Sequence, residues 1–247
     1  MILAVDAGNS NIVLGCMEGL EIRHTLRLKT DRAMSAAGYT VTLQAALAQA
    51  GFSVAGFEVA AVTEPLRQAL SALLSGPVLV VGKTAKTTLP LCIDQPETIG
   101  ADLIAAAEGA LAQYAPPLVL IDMGTATTFS VLDKSGAFLG GAIAPGVQLG
   151  AEALTQRTGL PMTELSAPQS PLSHSTTDCL RSGIIYGAAA MVDGMLDRLE
   201  TALGTPVTAI ATGGLARCVI PHCRRPVTLD DQLLLRGLAV MYRHEMT

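Results

Sequence analysis

Two short stretches of this 247-residue chain set a carboxylate, a glycine and small hydroxyl or amide side chains at the same spacing: Asp6-Ala-Gly-Asn-Ser-Asn and Asp122-Met-Gly-Thr-Ala-Thr. Each follows an apolar run, so each is expected to be a turn leaving a strand. Such a turn can bring backbone N–H groups and small polar side chains against phosphate oxygens, because glycine has no Cβ to hold the anion away. Gly8 and Gly124 are the residues on which that approach would depend. Either turn alone fits an ordinary hairpin equally well, since Asp, Gly and Asn are favoured there anyway. Two copies facing one another across a cleft would grip a triphosphate from both sides. Asp6 could then hold Mg²⁺ directly or through water, and Asp122 a second cation. A structural carboxylate bonded to its own turn is the other reading of each.

A third candidate contact is Ile210-Ala-Thr-Gly-Gly-Leu, where Gly213 and Gly214 would let the backbone lie flat against adenine or ribose. The same pair also suits a tight turn before a helix. Phosphoryl transfer to a hydroxyl further needs a base, and Asp102, at an expected helix start, is the candidate. An Asp in a first helical turn is equally common for its fit to the helix dipole alone. No Gly-x-x-x-x-Gly-Lys-Ser/Thr pattern occurs, which argues against a P-loop kinase, and no Gly-x-Gly-x-x-Gly follows a strand.

The elements that must position these groups repeat a plan. Residues 2–6 read as a strand entering the first turn, 11–17 as its return, 21–28 as a third strand and 39–50 as a helix ending near Gly51. Buried-type strands are expected at 59–62 and 78–81, separated by a helix over 64–74. An Ala-rich helix over 101–114 then stops before Pro116 and Pro117. The second half repeats the opening with strands at 118–121, 129–132 and 138–143, followed by helices over 146–157 and 180–203. In the latter, Met191, Met195 and Leu199 have the spacing of a buried stripe. A strand over 207–211 enters Gly213, a helix over 230–242 closes the chain, and 163–177 reads as a loop. The expected fold is α/β: two duplicated lobes, residues 1–115 and 116–247, with mixed sheets flanked by helices and the nucleotide in the interlobe cleft.

Composition narrows the partners. Half of the residues are apolar, enough for a sizeable core, while the net charge of −5 offers no basic field for polyanions. The one short basic cluster, Arg217 with Arg224 and Arg225, stands alone, and aromatics make up only 3% of the chain, so nucleic acid is not expected as a partner. No window reaches the roughly 18 apolar residues of a membrane span, and the first residues have no secretory-signal pattern. Five scattered cysteines, Cys16, Cys92, Cys179, Cys218 and Cys223, suggest free thiols in a reducing, cytoplasmic setting. Cys218, His222 and Cys223 lack the second pair that a zinc site needs and read as ordinary side chains.

Taken in order, residues 6–13, Gly100-Ala-Asp, residues 122–128, Gly140-Gly-Ala-Ile-Ala-Pro-Gly, Ser182-Gly-Ile-Ile-Tyr-Gly and Ala211-Thr-Gly-Gly-Leu-Ala resemble the type III pantothenate kinases. These belong to the acetate and sugar kinase, Hsp70 and actin superfamily, and the likeness, which runs nearly end to end, implies that the two α/β lobes are ribonuclease H-like, in the actin-like ATPase fold. The resemblance implies ATP-dependent phosphorylation of pantothenate to 4′-phosphopantothenate, the first step toward coenzyme A. It implies a cytoplasmic homodimer using Mg²⁺ and a monovalent cation, K⁺ or NH₄⁺. Carried over by position, Asp6, Ala7, Gly8, Asn9, Ser10, Asn11, Ile12 and Val13 bind ATP together with Thr125. Asp102 is the proton acceptor, Asp122 holds the monovalent cation, and Gly100, Ala101, Asp102, Leu103 and Thr176 face the acceptor. Residues 187–194, rich in Gly and Ala, would allow close helix packing, either between two copies or within one chain.

Two positions depart from the family pattern. Leu103 stands where the family has Arg after Gly-Ala-Asp, and Ile93 stands where it has Tyr. A Leu cannot replace a guanidinium paired with a carboxylate. The expectation is a retained ATP site and an altered acceptor side, with Arg181 or Lys86 as candidate replacement cations or, equally, as solvated charges. Another small hydroxyl acceptor, or a non-catalytic ATP-binding role, is the alternative these departures raise.

Overall fold

The computed structural model describes residues 1–8, 10–52, 58–60, 64–74, 78–81 and 87–245. The opening apolar run becomes β1, Ile2–Ala7, with Leu3, Ala4 and Val5 wholly buried. Its continuous apolar character suits a strand covered on both faces. It pairs antiparallel with β2, Asn11–Glu18, which pairs antiparallel with β3, Glu21–Lys29. β3 lies at the sheet edge and alternates exposed charged or polar residues with half-buried ones, the period-2 pattern of a strand covered on one face. The helix α1, Ala36–Gln49, is capped by Ser35, whose Oγ accepts the Gly38 N–H at 3.2 Å. Tyr39, Leu43 and Leu47, at successive i, i+4 positions, face the core beside Leu3, Val5, Ile12 and Leu14. β4, Glu58–Ala60, α2, Glu64–Leu73, and β5, Val78–Leu79, complete the sheet in the order β3-β2-β1-β4-β5, with the β1-β4-β5 pairs parallel. The helix α3, Ala101–Leu111, follows.

The second sheet repeats the first. β6, Leu118–Met123, β7, Ala126–Leu132, and β8, Phe138–Pro145, form the antiparallel meander. After α4, Val147–Thr158, and the 28-residue α5, Thr176–Leu203, come β9, Thr208–Thr212, the short α6, Ala216–Val219, and β10, Thr228–Leu229. Read from its other edge, the order β8-β7-β6-β9-β10 matches the first sheet strand for strand, and β9 and β10 are again the parallel members.

The chain divides into two compact units: residues 1–89, 94–113 and 232–247 in one, and 90–93 with 114–231 in the other. The closing helix α7, Leu233–Glu245, therefore belongs with the first unit rather than with the half that precedes it in sequence. It packs mainly on α3 and also on β1, and Leu235 lies over Gly15 of β2. Other differences from the expected elements are local. α5 starts at Thr176 instead of Leu180, because the Ser175 Oγ accepts the Asp178 N–H at 3.1 Å and caps a polar first turn. The loop before it thus ends at Ser175. The buried stripe of α5 is Ile185, Ala189, Val192 and Leu196, while Met191, Met195 and Leu199 flank it half-buried. β10, with only two residues, was not expected, and positions 61–62 of the expected strand at 59–62 lie outside the described residues.

Candidate active site

In the first unit, Asp6 and Ala7 are the last residues of β1 and pair with Val13 and Ile12. The connection is closed by the Gly8 N–H, which donates to the Asn11 carbonyl at 2.9 Å. Its outer side is held by Thr30, immediately after β3. The Thr30 hydroxyl donates to the Gly8 carbonyl at 2.8 Å and the Thr30 N–H donates to the Ser10 carbonyl at 3.1 Å. Asp6, Gly8, Asn11 and Val13 are half-buried and Ser10 is exposed, so the turn lies at the surface of its unit. Asn9 lies outside the described residues.

The same unit carries Gly100, Ala101, Asp102 and Leu103 at the start of α3, with Gly100 as N-cap. Asp102 is exposed, and its Oδ1 accepts the Leu103 N–H at 3.0 Å. Its carboxylate thus sits at the N-terminal end of the helix, the positive end of the helix dipole. Leu103 is half-buried. Five residues on, Glu108 is buried, and its Oε1 accepts the Thr87 hydroxyl at 2.6 Å.

In the second unit, Asp122 and Met123 pair with Thr128 and Thr127, and the Gly124 N–H donates to the Ala126 carbonyl at 3.1 Å. Thr125 is exposed at the tip. Its carbonyl accepts the Gly146 N–H at 3.2 Å, and the Met123 carbonyl accepts the Leu215 N–H at 3.3 Å. β9 brings Gly213 beside this turn. Gly213 has φ +96°, and a Cβ there would stand 2.5 Å from Asp122 Oδ1 and 2.7 Å from the Met123 backbone, so only glycine fits. Gly214 beside it is exposed. The buried Oγ1 atoms of Thr127 and Thr128 have no hydrogen-bond partner among the described residues, and Thr128 lies directly across from Asp122 in the ladder. Asp122, Thr125, Gly213 and Gly214 thus share one end of the second sheet. Thr176 stands apart, exposed at the first position of α5.

The acceptor-side departures have definite surroundings. Ile93 packs over Gly140 of β8, its Cγ2 3.6 Å from where a Cβ at 140 would lie. The Arg181 guanidinium is engaged within the second unit: Nε and Nη2 donate to the Ser166 carbonyl and Oγ at 3.0 and 2.6 Å, and Nη1 donates to Asp178 Oδ1 at 3.2 Å. It pins the segment before α5, as do the Ser182 hydroxyl on the Pro171 carbonyl at 2.6 Å and the Tyr186 hydroxyl on the Pro168 carbonyl at 3.0 Å. Arg181 is therefore occupied as a strap and is not available as a replacement cation. Lys86 lies outside the described residues. Burial, and behind it the Asp193 carboxylate, pushes the Cys223 thiol up to about 12, which leaves it protonated at neutral pH. Sequence reasoning missed Thr30, whose hydroxyl reaches back across 22 positions, and the Gly146 contact with Thr125. Only the pairing of strands brings these residues together.

The type III pantothenate kinase family profile matches residues 2–198. A curated relative, the type III pantothenate kinase of Pelobacter propionicus, is 36% identical over 98% of this chain and 98% of its own. Among solved structures, the activator of the 2-hydroxyisocaproyl-CoA dehydratase from Clostridium difficile with bound ADPNP superposes with a TM-score of 0.56 at 13% identity, covering 99% of this chain and 94% of that one. The ROK hexokinase from Thermus thermophilus gives 0.55 at 14% identity, covering 100% and 99%. The fold is thus that of the actin-like ATPases and ROK sugar kinases, and the chain belongs to the type III pantothenate kinase family.

Proposed function

We propose that this protein transfers the γ-phosphoryl group of ATP to the hydroxyl of pantothenate, giving 4′-phosphopantothenate on the way to coenzyme A. The observation that carries the reading is a kinase family match over nearly the whole chain. It is supported by a small-residue turn in each unit whose carbonyls are bonded from behind. Asp102 accepts the hydroxyl proton as that oxygen attacks the γ-phosphorus and the bond to the ADP oxygen breaks. The 6–13 turn, with Thr125, Gly213 and Gly214, contacts the nucleotide. Gly100 to Leu103 and Thr176 contact pantothenate.

Mg²⁺ suits the hard carboxylate oxygens of Asp6 and would neutralise charge on the transferring phosphoryl. A monovalent cation, K⁺ or NH₄⁺, suits Asp122, and the unpartnered Thr128 hydroxyl across the ladder supports an oxygen-lined site there. A homodimer is supported by apolar surface on the second unit. Ile143 is 78% exposed and Leu149 47%, beside an apolar cavity of about 200 Å³ lined by Val147, Ile184, Ala188 and Met191. A cytoplasmic setting is supported by five free cysteines. No helix among the described residues is long and apolar enough to cross a membrane.

The test is a coupled assay of ADP release with Mg·ATP and K⁺, with and without pantothenate, beside Asp102→Asn. Pantothenate-dependent turnover that falls by about 10²-fold or more in the variant is expected. ATP binding with no pantothenate-dependent turnover would overturn the acceptor assignment and identify Leu103 and Ile93 as specificity changes. No observation in the structure favours another acceptor or a non-catalytic role.

A further inference from the structure

We propose that Thr30 is a positioning residue of the nucleotide turn: it holds the Gly8 and Ser10 carbonyls toward itself, and so sets the affinity for ATP phosphates. The inference rests on the nucleotide reading of residues 6–13. A carbonyl oxygen aimed at a phosphate repels it, whereas a peptide N–H attracts it. A trans peptide is planar with its C=O and N–H opposed. A donor that holds the turn's carbonyls toward itself therefore keeps them from facing a phosphate.

Thr30 holds both carbonyls. Its hydroxyl takes Gly8 at 2.8 Å and its N–H takes Ser10 at 3.1 Å, so one residue uses a side-chain donor and a main-chain donor on the same turn. Only the N–H contact continues the strand ladder, in which Asn11 pairs with Lys29. The hydroxyl contact is an addition that any residue without an O–H would lack.

Thr30 is itself anchored. The next residue, Asp31, is clamped at its backbone by Tyr39, whose hydroxyl donates to the Asp31 carbonyl at 2.7 Å and accepts the Asp31 N–H at 3.2 Å. Tyr39 is 6% exposed and belongs to the core cluster with Leu3, Val5, Ile12 and Leu14. Asp31 also caps the following bend, its Oδ1 accepting the Ala33 N–H at 2.9 Å. Rigidity thus passes from the core through Tyr39 and Asp31 to Thr30, and from Thr30 to the turn.

The substitution that isolates the hydroxyl is Thr30→Val, which keeps shape, β-branching and the main-chain N–H; Thr30→Ser keeps the hydroxyl. Losing one such hydrogen bond should raise KM for ATP about fivefold in the Val variant. KM for pantothenate and the thermal midpoint should stay near those of the parent, and the Ser variant should recover most of the ATP affinity. Calorimetric titration of Mg·AMPPNP gives the same comparison without turnover. An unchanged KM and Kd for nucleotide in Thr30→Val would overturn the proposal. So would an equal loss in Thr30→Ser, or an equal rise in both substrate KM values. If the parent binds Mg·AMPPNP but shows no pantothenate-dependent turnover, the acceptor assignment fails while the calorimetric comparison still decides the role of Thr30.

Discussion

The two Asp-x-Gly turns do the same geometric job with different parts. In the first unit four residues, 8–11, link the last ladder pair, Ala7 with Ile12; in the second only three, 124–126, link Met123 with Thr127. The longer turn is braced by a side chain, the Thr30 hydroxyl, together with one main-chain donor. The shorter one receives main-chain donors from the Gly146 and Leu215 N–H groups. A shorter connection leaves fewer backbone dihedrals to restrain. The longer one has an extra residue of freedom, which the hydroxyl removes. The difference also implies different sensitivity: a point substitution can subtract the hydroxyl brace of the first turn, whereas the main-chain contacts of the second are disturbed by forcing backbone apart.

The largest effect should come from that backbone contact. A Cβ at position 146 would run into the Thr125 and Gly124 carbonyls. Gly146→Ala must push the second turn away from α4, an overpacking that costs about 1–3 kcal/mol in stability. Chemical denaturation should read this as a lower midpoint, and displacing the turn that is proposed to contact ATP should lower kcat/KM about a hundredfold. A variant of parental stability and activity would show that the Gly146 contact is not what holds the turn. Next in size is the roughly fivefold rise in KM for ATP in Thr30→Val, which a single subtracted hydrogen bond allows. If it exceeded the Gly146→Ala effect, the ranking of side-chain and backbone braces would be reversed. Smaller still is Tyr39→Phe, which acts on Thr30 only through Asp31. A rise in KM for ATP of about twofold is expected, with a modest fall in thermal midpoint from the lost buried hydrogen bonds. A larger rise than in Thr30→Val would mean that Tyr39 acts by another route.

Much of this arrangement was legible in the amino-acid order, and the reason is local. β1 and β6 are central strands, so their apolar runs are continuous and end abruptly at Asp6 and Asp122, where solvent-facing polar residues begin. The matching motifs announced the duplicated sheets, and the first turn of α3 announced the place of Asp102. What stayed hidden depends on distant partners. Aligned without a gap, the two motifs conceal the extra residue of the first turn, because register is set by the ladder and not by the spelling of the loop. Nothing near Thr30 in sequence marks it as a neighbour of Gly8. The amphipathic α7 was visible as a helix, but its packing against α3 across more than a hundred residues was not. Arg181 reads from sequence as either a replacement cation or a solvated charge, and its bonds to Ser166 and Asp178, one of them 15 positions away, are set by the folded segment before α5.

The smallest effect belongs to the opposite end of the second sheet, and it separates stability from nucleotide binding. β9 begins beside Val207, whose N–H donates to Glu200 Oε1 at 3.0 Å, and ends at the Asp122 turn. Arg225 bridges Glu200 at 2.7 Å and Asp197 at 2.5 Å, tying the segment before β10 to the last turns of α5. The Arg225 hydrogen bond, aided by the Val207 N–H, holds the Glu200 carboxyl below its ordinary range. A carboxylate lowered in the folded state contributes stability above its unfolded pKa and loses it as pH falls through the lowered, folded value. For a half-exposed clasp the contribution is about 0.5–1 kcal/mol. Glu200→Gln should therefore be less stable than the parent at neutral pH and should lose less stability on acidification, so the two curves converge below the ordinary carboxylate range. Nucleotide Kd at pH 7 should be unchanged, since the clasp lies at the far end of β9 from Gly213. Parallel stability curves would remove Glu200 as the titrating group, and a weakened Kd would show that the brace of the second turn extends along the whole strand.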